Sequence, residues 1–473
     1  MAHYLGIDMG TSSIKATLAD ERGRIVFSAK REARTLSPRE GFFEVDPVET
    51  WWNGFLSLCR EALQRVPAHE IRALCVSSVC GSFVPVDARF RPLHNAILYG
   101  IDRRSAEIVE ELNAAWGEEF LRQRLGGAFT THSVFPKVLW LKRNMPEIYR
   151  DAVHFVSSFN FVAARLTNVP SWDYPTAFGA LMLDAAALDY PRWFLGPQGL
   201  AEEKFPPLGS GLGILGTLTP EAARETGLDP STRVMRGACD INAEAMAVNA
   251  VRPDTAVAVL GSTLSLLLNT DRPVQAKGFV PGVSLLPNVW RIGAATSSGA
   301  RTIDWGKRFA DVAPPESPVG IFFMPYLDGA RTPFNAPRAT GMLLGLKSAH
   351  GPKDVAQAVQ ESLGYELALL AEMMEEVHPF PDTIEISGGL SHLAPLVQTV
   401  ADITGRVLRV HSADASCGSA RIAMMADIPR CENLPPLPDP AQIVRPGKRA
   451  ELYAPLRQKF VRLCRDLFSR GIL

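Results

Sequence analysis

The chain of 473 residues has almost no net charge, with 49 Lys and Arg against 50 Asp and Glu. That balance removes any global electrostatic case for a nucleic acid or an anionic membrane as partner. Cysteine is scarce and unpatterned. Its seven positions (59, 75, 80, 239, 417, 431 and 464) form no C-x-x-C and lack the Cys/His spacing of a zinc site, so reduced thiols and a cytoplasmic location are expected. No apolar run approaches the roughly 18 residues of a membrane span. The opening MAHYLGIDMG places Asp8 and glycines where the apolar stretch of a signal peptide would lie. The P-loop is missing too, because Leu346 stands where Lys347-Ser348 would need a glycine. A literal G-x-G-x-x-G (Gly211, Gly213, Gly216) follows Phe205-Pro206-Pro207-Leu208 instead of a strand, which is the wrong setting for a dinucleotide. What is present is ordinary: 47% hydrophobic and 21% charged residues exclude wholesale disorder, collagen and coiled coil.

Local patterns predict an α/β chain, long enough for two large domains or three of ordinary size. His3–Asp8 is an apolar run ending in an acid, and Ile14, Ala16 and Leu18 then alternate with their neighbours. With turn chemistry at Asp20–Gly23 and a third strand from Arg24, this is an antiparallel meander. Asp46-Pro47-Val48-Glu49 starts a helix that carries Trp52, Phe55, Leu56, Cys59 and Leu63 on one face. Ile71–Val76 is wholly apolar and reads as a central, parallel strand. Helices are expected over 105–124 and 137–150, an irregular Gly-, Pro- and aromatic-rich stretch over 167–215, a long helix after Asp354 and a last one over 451–468. LGIDMGTSSIKATL near the start and AVAVLGSTLSLLL half a chain later share one plan: strand, glycine with hydroxyl residues, strand. They predict two similarly built domains, 1–243 and 244–473, the last helix packing back on the first.

The two loops carry the first chemical signal. Glycine lets backbone N–H groups approach an anion, and Thr and Ser hydroxyls add hydrogen bonds. Gly10, Thr11 and Ser12, and Gly261, Ser262 and Thr263, are therefore candidate phosphate contacts. Asp8, ending a buried strand, is a candidate for a hydrated Mg²⁺, which takes only one or two carboxylates. Asp240 follows Gly237-Ala238-Cys239 before a helical run. It can accept a proton from a hydroxyl nucleophile, cap the helix, or both. Ser387-Gly388-Gly389, after an apolar strand, can meet a flat adenosine or serve only as a turn.

These elements together resemble the FGGY carbohydrate kinases of the actin-like ATPase superfamily. The likeness runs in order through GIDMGTSSIK (6–15), FFEVDPVETWW (42–52), FPKVLWLKRN (135–144), GACD (237–240), LGST (260–263), FMPYLDGARTPFNAP (323–337), GMLLGL (341–346) and SGGLSHLAPLVQTVADITG (387–405). The resemblance implies two ribonuclease H-like domains with an interdomain cleft and transfer of phosphate from ATP to a sugar or polyol hydroxyl. It implies Asp240 as catalytic base, Asp8 at the Mg²⁺ site, and Gly10, Thr11, Ser12, Lys15, Gly261, Ser262, Thr263, Gly299, Gly388 and Gly389 around the nucleotide. Cys80, Gly81, Asp102 and Asp240 are implied around the sugar. A homodimer is a family-level expectation.

The layout is closest to xylulokinases, and Asp102 and Arg104 keep their D-x-R pattern. Departures concern the sugar. Val79-Cys80-Gly81 stands where xylulokinases carry Gln-Met-His, Ile241 follows the base in place of Asn or Gln, Ala330 replaces a Glu in the Gly329–Pro333 segment, and Leu390 replaces a third glycine. D-xylulose is therefore expected to lose two polar contacts. A sugar sensor without turnover and an actin-like ATPase are the competing readings.

Overall fold

The computed structural model describes residues 1–311, 317–327, 329–336 and 338–472; Asp328 and Pro337 of the FMPYLDGARTPFNAP segment lie outside them. The chain forms two compact units. The first comprises Met1–Asn249 with Gly282–Pro287 and Ala413–Leu437; the second comprises Ala250–Pro281, Asn288–Ser412 and Pro438–Leu473.

In the first unit the expected meander is present as β1 (His3–Met9), β2 (Ser13–Asp20) and β3 (Ile25–Glu32). Asp20 closes its turn by accepting from the Arg22 and Arg24 backbone N–H groups at 2.9 and 3.0 Å. The apolar run becomes β4 (Ile71–Ser78), parallel to β1 as its two-sided burial requires. With β5 (Ile214–Thr217) and β6 (Arg233–Met235) the order is β3-β2-β1-β4-β6-β5. A two-residue strand, β7 (Ala238–Cys239), continues beside the end of β4.

The second unit repeats this plan. Its strands β8 (Ala256–Leu260), β9 (Leu264–Thr270), β10 (Trp290–Ala295), β11 (Thr383–Ser387), β12 (Val407–Val410) and β13 (Gln442–Val444) stand in the order β10-β9-β8-β11-β12-β13. In both units two antiparallel pairings are followed by two parallel ones and a last antiparallel one. The shared hairpin pattern in the sequence marked this repetition.

Two expectations about organisation need correction. The main division falls after Asn249, so the helix Asp240–Ala247 stays with the first unit. It is held there by the helix Ala415–Met424, whose approach depends on missing side chains. A Cβ at Gly418 would lie 1.7 Å from the Ala243 carbonyl oxygen, and one at Gly6 would lie 2.1 Å from that of Ser416. The last helix, Ala450–Ser469, does not return to the first unit. It buries Tyr453, Phe460, Val461 and Cys464 against Tyr365, Leu369 and Ile403 of the second, with Phe460 stacked on Tyr365 at 5.0 Å.

Candidate active site

Register brings the first unit's acids to one edge of its sheet. Asp8, next to the end of β1, is paired with Lys15 across on β2 and with Ser77 on β4. The Ser77 hydroxyl donates to Asp8 Oδ1 at 2.8 Å. Beyond β4, Cys239 pairs with Ser78, which delivers Asp240 at the first turn of its helix. Asp8 and the chain entering Asp240 are thus two strand spacings apart, roughly 10 Å.

Asp240 is the first residue of the helix, after Cys239 at its cap position. Its Oδ1 accepts from the Ile241 backbone N–H at 2.8 Å, and the Cys80 backbone N–H also donates to the carboxylate. Burial outweighs both bonds and pushes Asp240 up to about 6. For Asp8, burial and then the neighbouring charge of Asp240 push the carboxyl up to about 8. Two carboxylates confined together resist joint ionisation, and a proton or a cation relieves them.

Lys15 adds the positive group. Its Nζ lies 3.0 Å from Asp414 Oδ2, and Asp414 Oδ1 caps the helix Ala415–Met424 through the Ser416 N–H at 3.0 Å. Burial opposes both charges, yet the pairing holds Lys15 above and Asp414 below their ordinary ranges. Asp414 escaped sequence reasoning, although D-x-S before a helical run was a visible capping signal. The loop between β1 and β2 is pinned by its backbone: Thr35 Oγ1 donates to the Thr11 carbonyl at 2.9 Å and the Ala33 N–H to that of Ser12 at 3.1 Å. Ser12 is exposed and Thr11 half-buried.

The second unit gathers its predicted groups at the matching strand ends. Gly261–Thr263 form the turn between β8 and β9, with the Ala300 N–H donating to the Gly261 carbonyl at 2.9 Å. Gly299 packs over this turn so tightly that a Cβ would lie 2.4 Å from the Ser262 carbonyl oxygen. Beneath it Ser298 and Thr296 hydroxyls bond the buried Glu366, which burial pushes up to about 7. Gly388, at φ +96°, abuts the last residue of β8, whereas Gly389 faces open space. Ligands of open α/β sheets bind outside the carboxyl ends of strands, and each unit offers its candidate groups at such an edge.

The sugar-side expectations fare unevenly. Cys80 turns its Sγ toward the Thr176 carbonyl, 4.0 Å away, and gives its backbone N–H to Asp240. Asp102 is fully buried. Its carboxylate accepts from the Phe43 N–H at 2.7 Å and from Arg104 Nε and Nη2 at 2.9 and 2.8 Å. Arg104 also pairs with Glu44 at 2.8 Å, its guanidinium against the rings of Phe42 and Trp140 at 4.5 and 5.0 Å. The geometry shows Asp102 holding Arg104. Asp102→Ala is expected to destabilise the fold by about 1–3 kcal/mol for each donor it leaves without an acceptor, the Phe43 N–H and Arg104 Nε, while Glu44 still balances the guanidinium charge. Denaturant unfolding measures this; an unaltered midpoint with a raised sugar KM would return Asp102 to the pocket.

Lys137 and His132 were missed. Lys137, fully buried, donates to the carbonyls of Leu98 at 2.6 Å and Gly81 at 3.5 Å, and burial brings its ammonium down to about 7. His132 fills the space where a side chain at Gly81 would stand. Among the described residues no group of three or more His, Cys, Asp or Glu converges as a metal cage would.

Comparison with known proteins agrees with this geometry. The N-terminal domain profile of the FGGY family of carbohydrate kinases matches residues 3–247, and its C-terminal domain profile matches residues 256–426. A xylulose kinase of Escherichia coli is 30% identical over 98% of this chain and 99% of its own. Two solved structures superpose equally well. A xylulose kinase from Rhodospirillum rubrum has a TM-score of 0.90 at 22% identity, covering 98% of this chain and 99% of its own. A gluconate kinase from Lactobacillus acidophilus has a TM-score of 0.90 at 20% identity, covering 99% and 98%. At those identities they speak for the fold, and the fold does not select between their acceptors.

Proposed function

Since the chain belongs to the FGGY family of carbohydrate kinases, which phosphorylate sugars with ATP, we propose that it transfers the γ-phosphoryl group to a hydroxyl of a ketopentose-like acceptor. The observation that carries this reading is the setting of Asp240. It is a carboxylate at a strand–helix junction, anchored by two backbone N–H groups and raised by burial toward neutral pH. A base with a pKa near the working pH is best suited to take a hydroxyl proton. Phosphoryl transfer otherwise asks for alignment and charge stabilisation.

In this reading Gly10, Thr11, Ser12 and Lys15 hold phosphate oxygens, as do Gly261, Ser262, Thr263 and Gly299, and Gly388 and Gly389 meet adenosine. Mg²⁺ fits the donor set at Asp8: one carboxylate, bonded to Ser77 on one oxygen and short of positive charge. Magnesium keeps most of its water and needs no cage of protein ligands. When bound, it neutralises phosphate charge. The ketopentose class is supported by the xylulose kinase relative, whose similarity spans both chains.

A panel of ketopentoses, ketohexoses, aldonates and polyols tests the acceptor through kcat/KM for ADP release with identification of the phosphorylated product. A ketopentose is expected to lead. An aldonate or polyol ahead by tenfold would overturn the assigned class; binding without turnover would indicate a sensor, and hydrolysis indifferent to every acceptor would indicate an ATPase.

A further inference from the structure

Gly81 stands three residues after the end of β4, next to the residue whose backbone N–H holds Asp240. Its backbone is left-handed, at φ +73°, and a Cβ there would lie 2.9 Å from His132 Nε2, 3.0 Å from Cε1 and 2.8 Å from the His132 carbonyl oxygen. The imidazole thus rests on the bare Cα of Gly81. On its other flank the His132 backbone and Cβ border Gly100, at 3.5–3.7 Å from where a Cβ would stand. Tyr99 meets the ring edge-on at 6.5 Å.

The loop that carries the imidazole is built to hold it there. The Thr131 hydroxyl donates to the Gly100 carbonyl at 2.9 Å, the His132 N–H donates to Thr130 Oγ1 at 3.1 Å, and Thr130 N–H donates to Ser133 Oγ at 3.1 Å. One helical turn on, Lys137 ties the helix Val134–Asn144 to the carbonyls of Leu98 and Gly81. The ring is half-buried and meets an aromatic edge.

Resting on the kinase reading above, we propose that His132 is a specificity-determining residue whose imidazole hydrogen-bonds a hydroxyl of the acceptor beside Asp240. An imidazole can both donate and accept, which suits a hydroxyl. A partly desolvated site built to bond a hydroxyl discriminates strongly against an analogue lacking it.

The test pairs His132→Ala and His132→Gln with the best acceptor and its set of monodeoxy analogues. For wild type, one deoxy position is expected to lose roughly 10–100-fold in kcat/KM beyond the others. In His132→Ala that one penalty should shrink to within a few-fold, with the acceptor KM raised and the ATP KM near wild type; His132→Gln should recover part of the selectivity. Gly81→Ala, which pushes against the ring, should copy the alanine variant. An acceptor-independent fall that leaves every deoxy penalty unchanged would overturn the proposal and leave His132 a packing residue, as would a variant indistinguishable from wild type. If wild type releases no ADP in response to any acceptor, the kinase reading itself fails, and this proposal with it.

Discussion

Asp240→Asn is expected to lower kcat by roughly 10²–10⁴-fold while the acceptor KM moves by a few-fold at most. The side chain of Asn keeps a carbonyl oxygen that can accept from the Ile241 and Cys80 N–H groups, so the local fold survives the change. What disappears is the basic oxygen that receives the hydroxyl proton. The loss should therefore appear in turnover and not in sugar binding. A variant retaining more than a tenth of wild-type kcat would remove Asp240 from the role of base. A variant that loses sugar affinity in proportion to rate would make it a binding residue only.

The second large effect is expected at Asp8. Asp8→Asn preserves the shape and the bond from Ser77, and removes the charge that would attract Mg²⁺. The Mg²⁺ concentration for half-maximal rate at fixed ATP should rise about 10–100-fold. Stability should move the other way or not at all. Asp8 is a half-buried carboxyl near Asp240, pushed up to about 8 by desolvation and then by that charge, so neutralising it removes a desolvation cost and a repulsion. A melting temperature equal to or above that of wild type, with the Mg²⁺ midpoint displaced, is the expected pair of results. An unmoved midpoint would leave Asp8 without a metal role.

Much of the scaffold was legible in the sequence because it is written locally. The meander from His3 to Glu32 follows from alternation and from the Asp20 turn, and the second hairpin from the same pattern half a chain later. The excursion of Ala413–Leu437 into the first unit was not legible. It depends on Gly6 and Gly418 admitting a helix at a distance that no side chain allows, and a glycine needed for close approach reads in sequence like any other.

The site divides along the same line. Asp8, Lys15 and Asp240 stand on or beside strands whose register follows from apolar pattern, so their gathering was foreseeable. The hold of Asp102 on Arg104 was not legible because part of its setting is remote: a D-x-R turn reads the same whether it faces substrate or folds back on Glu44, which bonds Arg104 across 60 residues of chain. The neighbour of Gly81 was hidden for a related reason. The space it vacates is taken by an imidazole from a distant loop, and no periodicity reports that.

The central claim is that this chain moves phosphate from ATP to a sugar hydroxyl, and it is tested most directly by counting products. Purified protein with Mg²⁺ and ATP should release ADP slowly alone and much faster with a ketopentose, forming one phosphorylated sugar for each added ADP. ADP release that is unaffected by every acceptor, or that is stimulated without a phosphorylated sugar in equal amount, would contradict it.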